Sequence, residues 1–157
     1  MKAFQFLGPG KGLELRDLPV PKPNNTEALI RVEAAGLCHS DTHVIQGGGA
    51  AWMCATPVTL GHEVAGVVVE LGESGLLTSE FNIGDRVAVA CVGHPIQGRN
   101  FKEALGVGCD GGYAEYAVAP TKNLVKIPSE IGFAQAAVAT DAIATAYHAV
   151  ISEGYTN

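Results

Sequence analysis

The sequence predicts a mainly β domain, a small barrel or sandwich followed by one helix near the end of the chain. Three observations carry that expectation. Short apolar runs alternate with polar positions through most of the chain, glycine and proline turns separate them, and an alanine-rich stretch of helical spacing follows Pro128.

The elements follow in order. Met1 to Phe6 alternates apolar and polar side chains, and Gly8-Pro9-Gly10-Lys11-Gly12 turns the chain. Pro19, Pro21 and Pro23 exclude helix, because proline removes a donor and restricts the residue before it. From Ala28 to Gly36, Ile30, Val32 and Ala34 alternate with Arg31 and Glu33, the pattern of a strand with one buried face. Gly47-Gly48-Gly49 is a crossing or tight turn. Val64 to Leu71 is the most strand-like segment and Gly72 ends it. After the turn at Asn82-Ile83-Gly84-Asp85, Arg86 to Ala90 is again a strand. Cys91 to Asp110 has no periodicity and reads as a long loop or lobe. Tyr113 to Ala119 and Asn123 to Ile127 resume the strand pattern. Ser129-Glu130 offers a helix start, and Ala134 to Val150 carries Val138, Ala142, Thr145 and Ala149 at helical spacing, with Gly154 as its stop.

Composition narrows the function classes. A chain of 157 residues with 47% hydrophobic and 17% charged residues can close its own core. The net charge of −6, with ten Lys and Arg scattered singly, argues against nucleic acid or an anionic membrane as partner. No apolar run is long enough to span a bilayer and no signal-peptide pattern opens the chain, so a cytoplasmic protein is expected. Cys38, Cys54, Cys91 and Cys109 are too unevenly spaced for a secreted disulfide framework.

Chemistry concentrates between Cys38 and Gly66. Cys38-His39-Ser40-Asp41-Thr42-His43 and Gly61-His62-Glu63 bring a thiol, three imidazoles and two carboxylates onto two short segments. A thiolate and a neutral imidazole are preferred zinc donors, and a catalytic zinc takes three protein ligands with a fourth position open. Cys38 and His62 are the first two candidates.

Four stretches occur in one order: Ala35-Gly36-Leu37-Cys38-His39-Ser40-Asp41, Gly61 to Val68, Gly84-Asp85-Arg86-Val87, and Gly111-Gly112-Tyr113-Ala114-Glu115-Tyr116. Together they resemble the catalytic domain of the zinc-dependent alcohol dehydrogenases of the medium-chain dehydrogenase/reductase superfamily. The resemblance implies a GroES-like, partly open β-barrel with short helices over residues 1–130. Residues 131–157 are then a C-terminal linking helix that leads to a nucleotide-binding domain. It further implies one catalytic zinc held by Cys38, His62 and Asp141, with Glu63 as the acid beside the histidine ligand. Asp41 corresponds to the carboxylate that orients that histidine, and Ser40 and His43 to a proton relay. His39 and Thr145 correspond to residues facing an NAD or NADP cofactor, and Trp52 to a wall of the pocket for a small alcohol, aldehyde or ketone. The implied reaction is NAD(P)-dependent oxidation of an alcohol to an aldehyde or ketone, and its reverse.

Two departures qualify the expectation. Only Cys91 and Cys109 lie where many relatives carry four cysteines, so no structural zinc is expected. No G-x-G-x-x-G follows a strand, so the chain is expected to be a truncated form of low activity alone. The alternative is a non-catalytic zinc-binding or interaction module that forms a homo-oligomer through its apolar helix.

Overall fold

Alternating strands pair here into two antiparallel sheets. The computed structural model describes residues 1–49, 56–73, 80–92 and 100–154. β1 (Lys2–Phe6) pairs with β2 (Leu13–Asp17) across the glycine-proline turn and, on its other edge, with the two-residue β4 (Val58–Thr59). The larger sheet comprises β3 (Glu27–Gly36), β5 (Glu63–Leu71), β6 (Arg86–Val89), β7 (Tyr116–Pro120) and β8 (Leu124–Lys126). Its order is β7-β3-β5-β6-β8. An isolated bridge between Ala3 and Ala114, and a Phe4 N–H to Tyr113 carbonyl bond of 2.7 Å, tie the small sheet to the chain entering β7. The sheets do not close on each other, and the fold is the partly open barrel that the resemblance implies.

Inside it, Ile30, Val64, Val68, Val87, Val89 and Leu105 are fully buried in one cluster. Each such side chain contributes roughly 1.5–3 kcal/mol by leaving water. Leu105 comes from the stretch that sequence reading treats as a loop. A 3₁₀ turn, Phe101–Glu103, leads into Ala104 and Leu105, which plug the core. β7 also begins three residues later than its alternation suggests. The Tyr113 backbone is occupied elsewhere, donating to the Leu60 carbonyl and accepting from Phe4.

β5 is covered on both faces. Val64 and Val68 face the barrel core, and Ala65 joins Ala88, Ala136 and Ala137 in a second cluster. Those alanines let α2 (Phe133–Val138) lie close against the sheet. The helix starts four residues after the predicted Ser129, with Gly132 as its N-cap. The guanidinium of Arg86 explains the delay. It donates to the carbonyls of Pro128, Ser129 and Ile131 at 2.9, 3.0 and 2.5 Å, holding them in a turn, and stacks over the Phe133 ring at 4.5 Å. Beyond α2 the helix widens into a π turn, Ala139–Ile143, continues as α3 (Ala144–Tyr147), and widens again over His148–Glu153. The stripe of Val138, Ala142, Thr145 and Ala149 is exposed, because the helix meets the sheet through its first turns, where Ala136 and Ala137 are buried. Among the described residues no helix is long and apolar enough to cross a membrane.

Candidate metal centre

Three segments converge at one end of β3 and β5. β3 ends at Gly36, and Cys38 follows as N-cap of α1 (His39–Ile45), a helix the sequence reading does not assign. The polar run 39–43 forms it because Asp41, in the first turn, accepts the Cys38 N–H at 3.1 Å and so satisfies a free donor at the helix start. Gly36 lies opposite Glu63 in the β3–β5 ladder, so Cys38 and His62 emerge side by side. Gly61 makes the turn into His62 with φ +94, and a side chain there would strike the Tyr113 ring at 2.5 Å. Asp141 arrives from the first π turn.

A sulfur of Cys38, a ring nitrogen of His62 and a carboxylate oxygen of Asp141 lie within 4.8 Å of one another. Asp141 Oδ2 is 3.1 Å from His62 Nε2 and 3.6 Å from Cys38 Sγ. The other imidazole nitrogen, Nδ1, sits 3.5 Å from Asp41 Oδ1, and the side chains of His62 and Asp41 are only 6% and 2% exposed. Asp41 is fixed in turn by the Tyr113 hydroxyl, which donates to its Oδ2 at 2.8 Å. With Nδ1 engaged by Asp41, Nε2 is the ring nitrogen that faces the thiol and the carboxylate. One sulfur, one nitrogen and one oxygen donor, gathered in this way, suit a zinc-like divalent cation.

Residues 24–129 match the alcohol dehydrogenase GroES-like domain family. The chain belongs to this family. The domain is 35% identical over 170 residues to the NAD-dependent alcohol dehydrogenase of Sulfurisphaera tokodaii, a match covering 96% of this chain and 47% of that protein. It is 34% identical over 166 residues to an L-threonine 3-dehydrogenase of Coxiella burnetii, covering 96% of this chain and 46% of that one. Among solved structures, a cobalt- and zinc-bound thermostable alcohol dehydrogenase from Pyrobaculum aerophilum superimposes with a TM-score of 0.83 at 31% identity, over 99% of this chain and 49% of the other. The chain spans about half the length of the curated relatives it matches, and those relatives are oxidoreductases.

In this GroES-like domain the electrostatics centre on His62. Burial alone would lower its pKa, but the hydrogen bond and charge of Asp41, joined by Cys38, raise it to about 9. Burial would push Asp41 up, yet its bonds from His62 and Tyr113 hold it below the usual carboxylate range. Burial, followed by the Asp41 hydrogen bond and charge, drives the Tyr113 phenol upward, so it remains a donor. Cys91 is pushed up to about 12, first by burial and then by the charge of Asp141, and stays a protonated thiol.

The remaining sequence-predicted residues divide into those near the cluster and those away from it. Ser40 Oγ is 3.4 Å from His62 Nε2. Glu63 is buried and accepts the Ala142 N–H at Oε1, 3.0 Å away. Thr145 donates its hydroxyl to Asp141 Oδ1. His39 and His43 are exposed on α1, and among the described residues no hydrogen bond joins His43 to Ser40. Trp52 lies outside the described residues. Sequence reasoning misses Tyr113 as the holder of Asp41; its place after two glycines, which let the chain pass close to Gly61, is the signal that could have pointed to it. It also misses Gly36, where a Cβ would fall 1.9 Å from Glu63 Oε2.

Proposed function

We propose that this chain is the catalytic domain of a zinc-dependent alcohol dehydrogenase. Residues 1–130 would be the zinc-binding barrel and residues 131–157 the linking helix. Cys38, His62 and Asp141 hold one zinc ion, and no second, structural zinc is bound. The single observation that carries this reading is the convergence of the three donor atoms within 4.8 Å, with the other nitrogen of His62 engaged by Asp41.

When bound there, zinc supplies Lewis-acid polarisation of an alcohol or carbonyl oxygen. The chain does the rest. Asp41, itself held by Tyr113 and the Cys38 N–H, fixes the ring orientation and tautomer of His62. Ser40, beside His62 Nε2, takes the proton leaving a substrate hydroxyl, and His43, exposed on the same short helix, leads it to solvent. Glu63 ties the Asp141 turn to the barrel through Ala142. His39 and Thr145, both exposed, would face an NAD or NADP cofactor, which would supply hydride chemistry. The substrate is a small alcohol, aldehyde or ketone. A cytoplasmic setting keeps the Cys38 thiol reduced and available.

Metal analysis of the purified protein should find one zinc per chain, and Cys38→Ala or Asp141→Ala should each remove it. Zinc retained in both variants overturns the ligand set. A second reading, a non-catalytic module that self-associates, is favoured by the exposure of Ile143, Tyr147 and Val150 at 58%, 63% and 62% on the helix. Sedimentation of the zinc-loaded protein tests it, and a monomer across the concentration range removes it.

A further inference from the structure

We propose that Thr145 is a positioning residue for Asp141, holding the carboxylate so that one oxygen alone turns toward Cys38 and His62. The inference rests on the zinc site proposed above. Thr145 Oγ1 donates to Asp141 Oδ1 at 2.5 Å, while Oδ2 lies 3.1 Å from His62 Nε2 and 3.6 Å from Cys38 Sγ. The two oxygens thus have separate partners, and rotation of the carboxylate would break one set or the other.

The arrangement departs from what a helical threonine ordinarily does. Its hydroxyl usually returns to a main-chain carbonyl of the preceding turn. Thr140 does so, donating to the Ala137 carbonyl at 2.7 Å. Thr145 instead reaches the side chain four residues back, on the same helical face.

The restraint matters because the Asp141 side chain is 30% exposed, on a helix whose next residues, Ala142 to Tyr147, face outward. An exposed aspartate samples several rotamers, and fixing it carries an entropic cost. Here two contacts limit that freedom. The buried carboxylate of Glu63 accepts the Ala142 N–H and ties the backbone beside Asp141 to the barrel. In an unbroken α-helix that donor would serve Val138, and the helix is widened over Ala139–Ile143. Thr145 then fixes the carboxylate itself, through a charge-assisted bond.

Cobalt(II) titration of the full chain tests this, read by affinity and by the visible absorption of the bound ion. Thr145→Val keeps the shape and removes the donor at an exposed site. It should bind one cobalt about tenfold more weakly, as loss of a partner that orients a ligand does. Its visible band should also be weaker, because freeing Oδ1 lets the carboxylate offer both oxygens, and Co(II) absorbs less strongly as its coordination number rises. Thr145→Ser, which keeps the hydroxyl, should restore both. Wild-type affinity and spectrum in Thr145→Val, or a Thr145→Ser variant as weak as Thr145→Val, overturns the role of Thr145 and leaves the zinc site standing. Failure of the wild-type chain itself to bind cobalt overturns the ligand set, and this inference with it.

Discussion

Ile30 and Ile143 sit in two very differently built parts of this molecule. Ile30 is fully buried in β3, a strand with a partner on each edge, whereas Ile143 is 58% exposed in the helix that leaves the barrel. Cys38 and His62 are placed by the first kind of structure. Their backbone positions follow from the β3–β5 ladder and the partly buried Asp41–Tyr113 pair. Asp141 is placed by the second kind, through α2 docked on alanines and a single main-chain bond to Glu63. The contrast teaches that two donors come with the barrel and the third is delivered by an element that must be held to it.

Stability should separate the two regions most clearly. Ile30→Ala is expected to cost about 2–5 kcal/mol in urea unfolding, because it opens a cavity among fully buried neighbours. Ile143→Ala should stay within about 0.5 kcal/mol of the wild type. Equal costs would mean that the helix is as firmly packed as the barrel.

Metal affinity sharpens the comparison from the barrel side. Asp41→Asn leaves His62 without the carboxylate that fixes its ring, and should weaken zinc binding roughly 10- to 100-fold by competition titration. An unchanged affinity would show that packing alone orients His62.

A pH slope in the metal-free protein tests the barrel side in a second way. His62 has its ordinary pKa near 6.5 when unfolded and about 9 when folded, so its protonated form is favoured by folding. The stability it contributes is fully present below about pH 6.5 and lost as pH rises through about 9. Urea midpoints of wild type and His62→Gln should therefore converge as pH increases over that window. Parallel curves would disconnect His62 from that stability.

Much of the barrel was legible because period-two alternation is a local signal. Ala28 to Gly36 and Val64 to Leu71 read as strands from their own residues, and the structure agrees within one residue at their starts. The short helix α1 was not legible, since its polar residues carry no amphipathic period and it forms by capping between Asp41 and Cys38. Leu105 was not legible as core either, because its stretch has no period and its burial depends on the strands it plugs. At the candidate site, the donor types at Cys38 and His62 were visible in the sequence, and Asp141 was reached through family resemblance. The pairing of Asp41 with Tyr113, 72 positions away, left no local trace.

By itself, then, the sequence determined the strand-rich class, the turns, and which side chains could donate to a metal, since each of these depends on residue type and near neighbours. The tertiary structure alone decided which oxygen of Asp141 turns inward, which nitrogen of His62 faces it, and why the helix widens beside Glu63. Those outcomes depend on distances between atoms up to about a hundred residues apart in the chain, which the packing of β3, β5 and α2 brings within hydrogen-bonding reach.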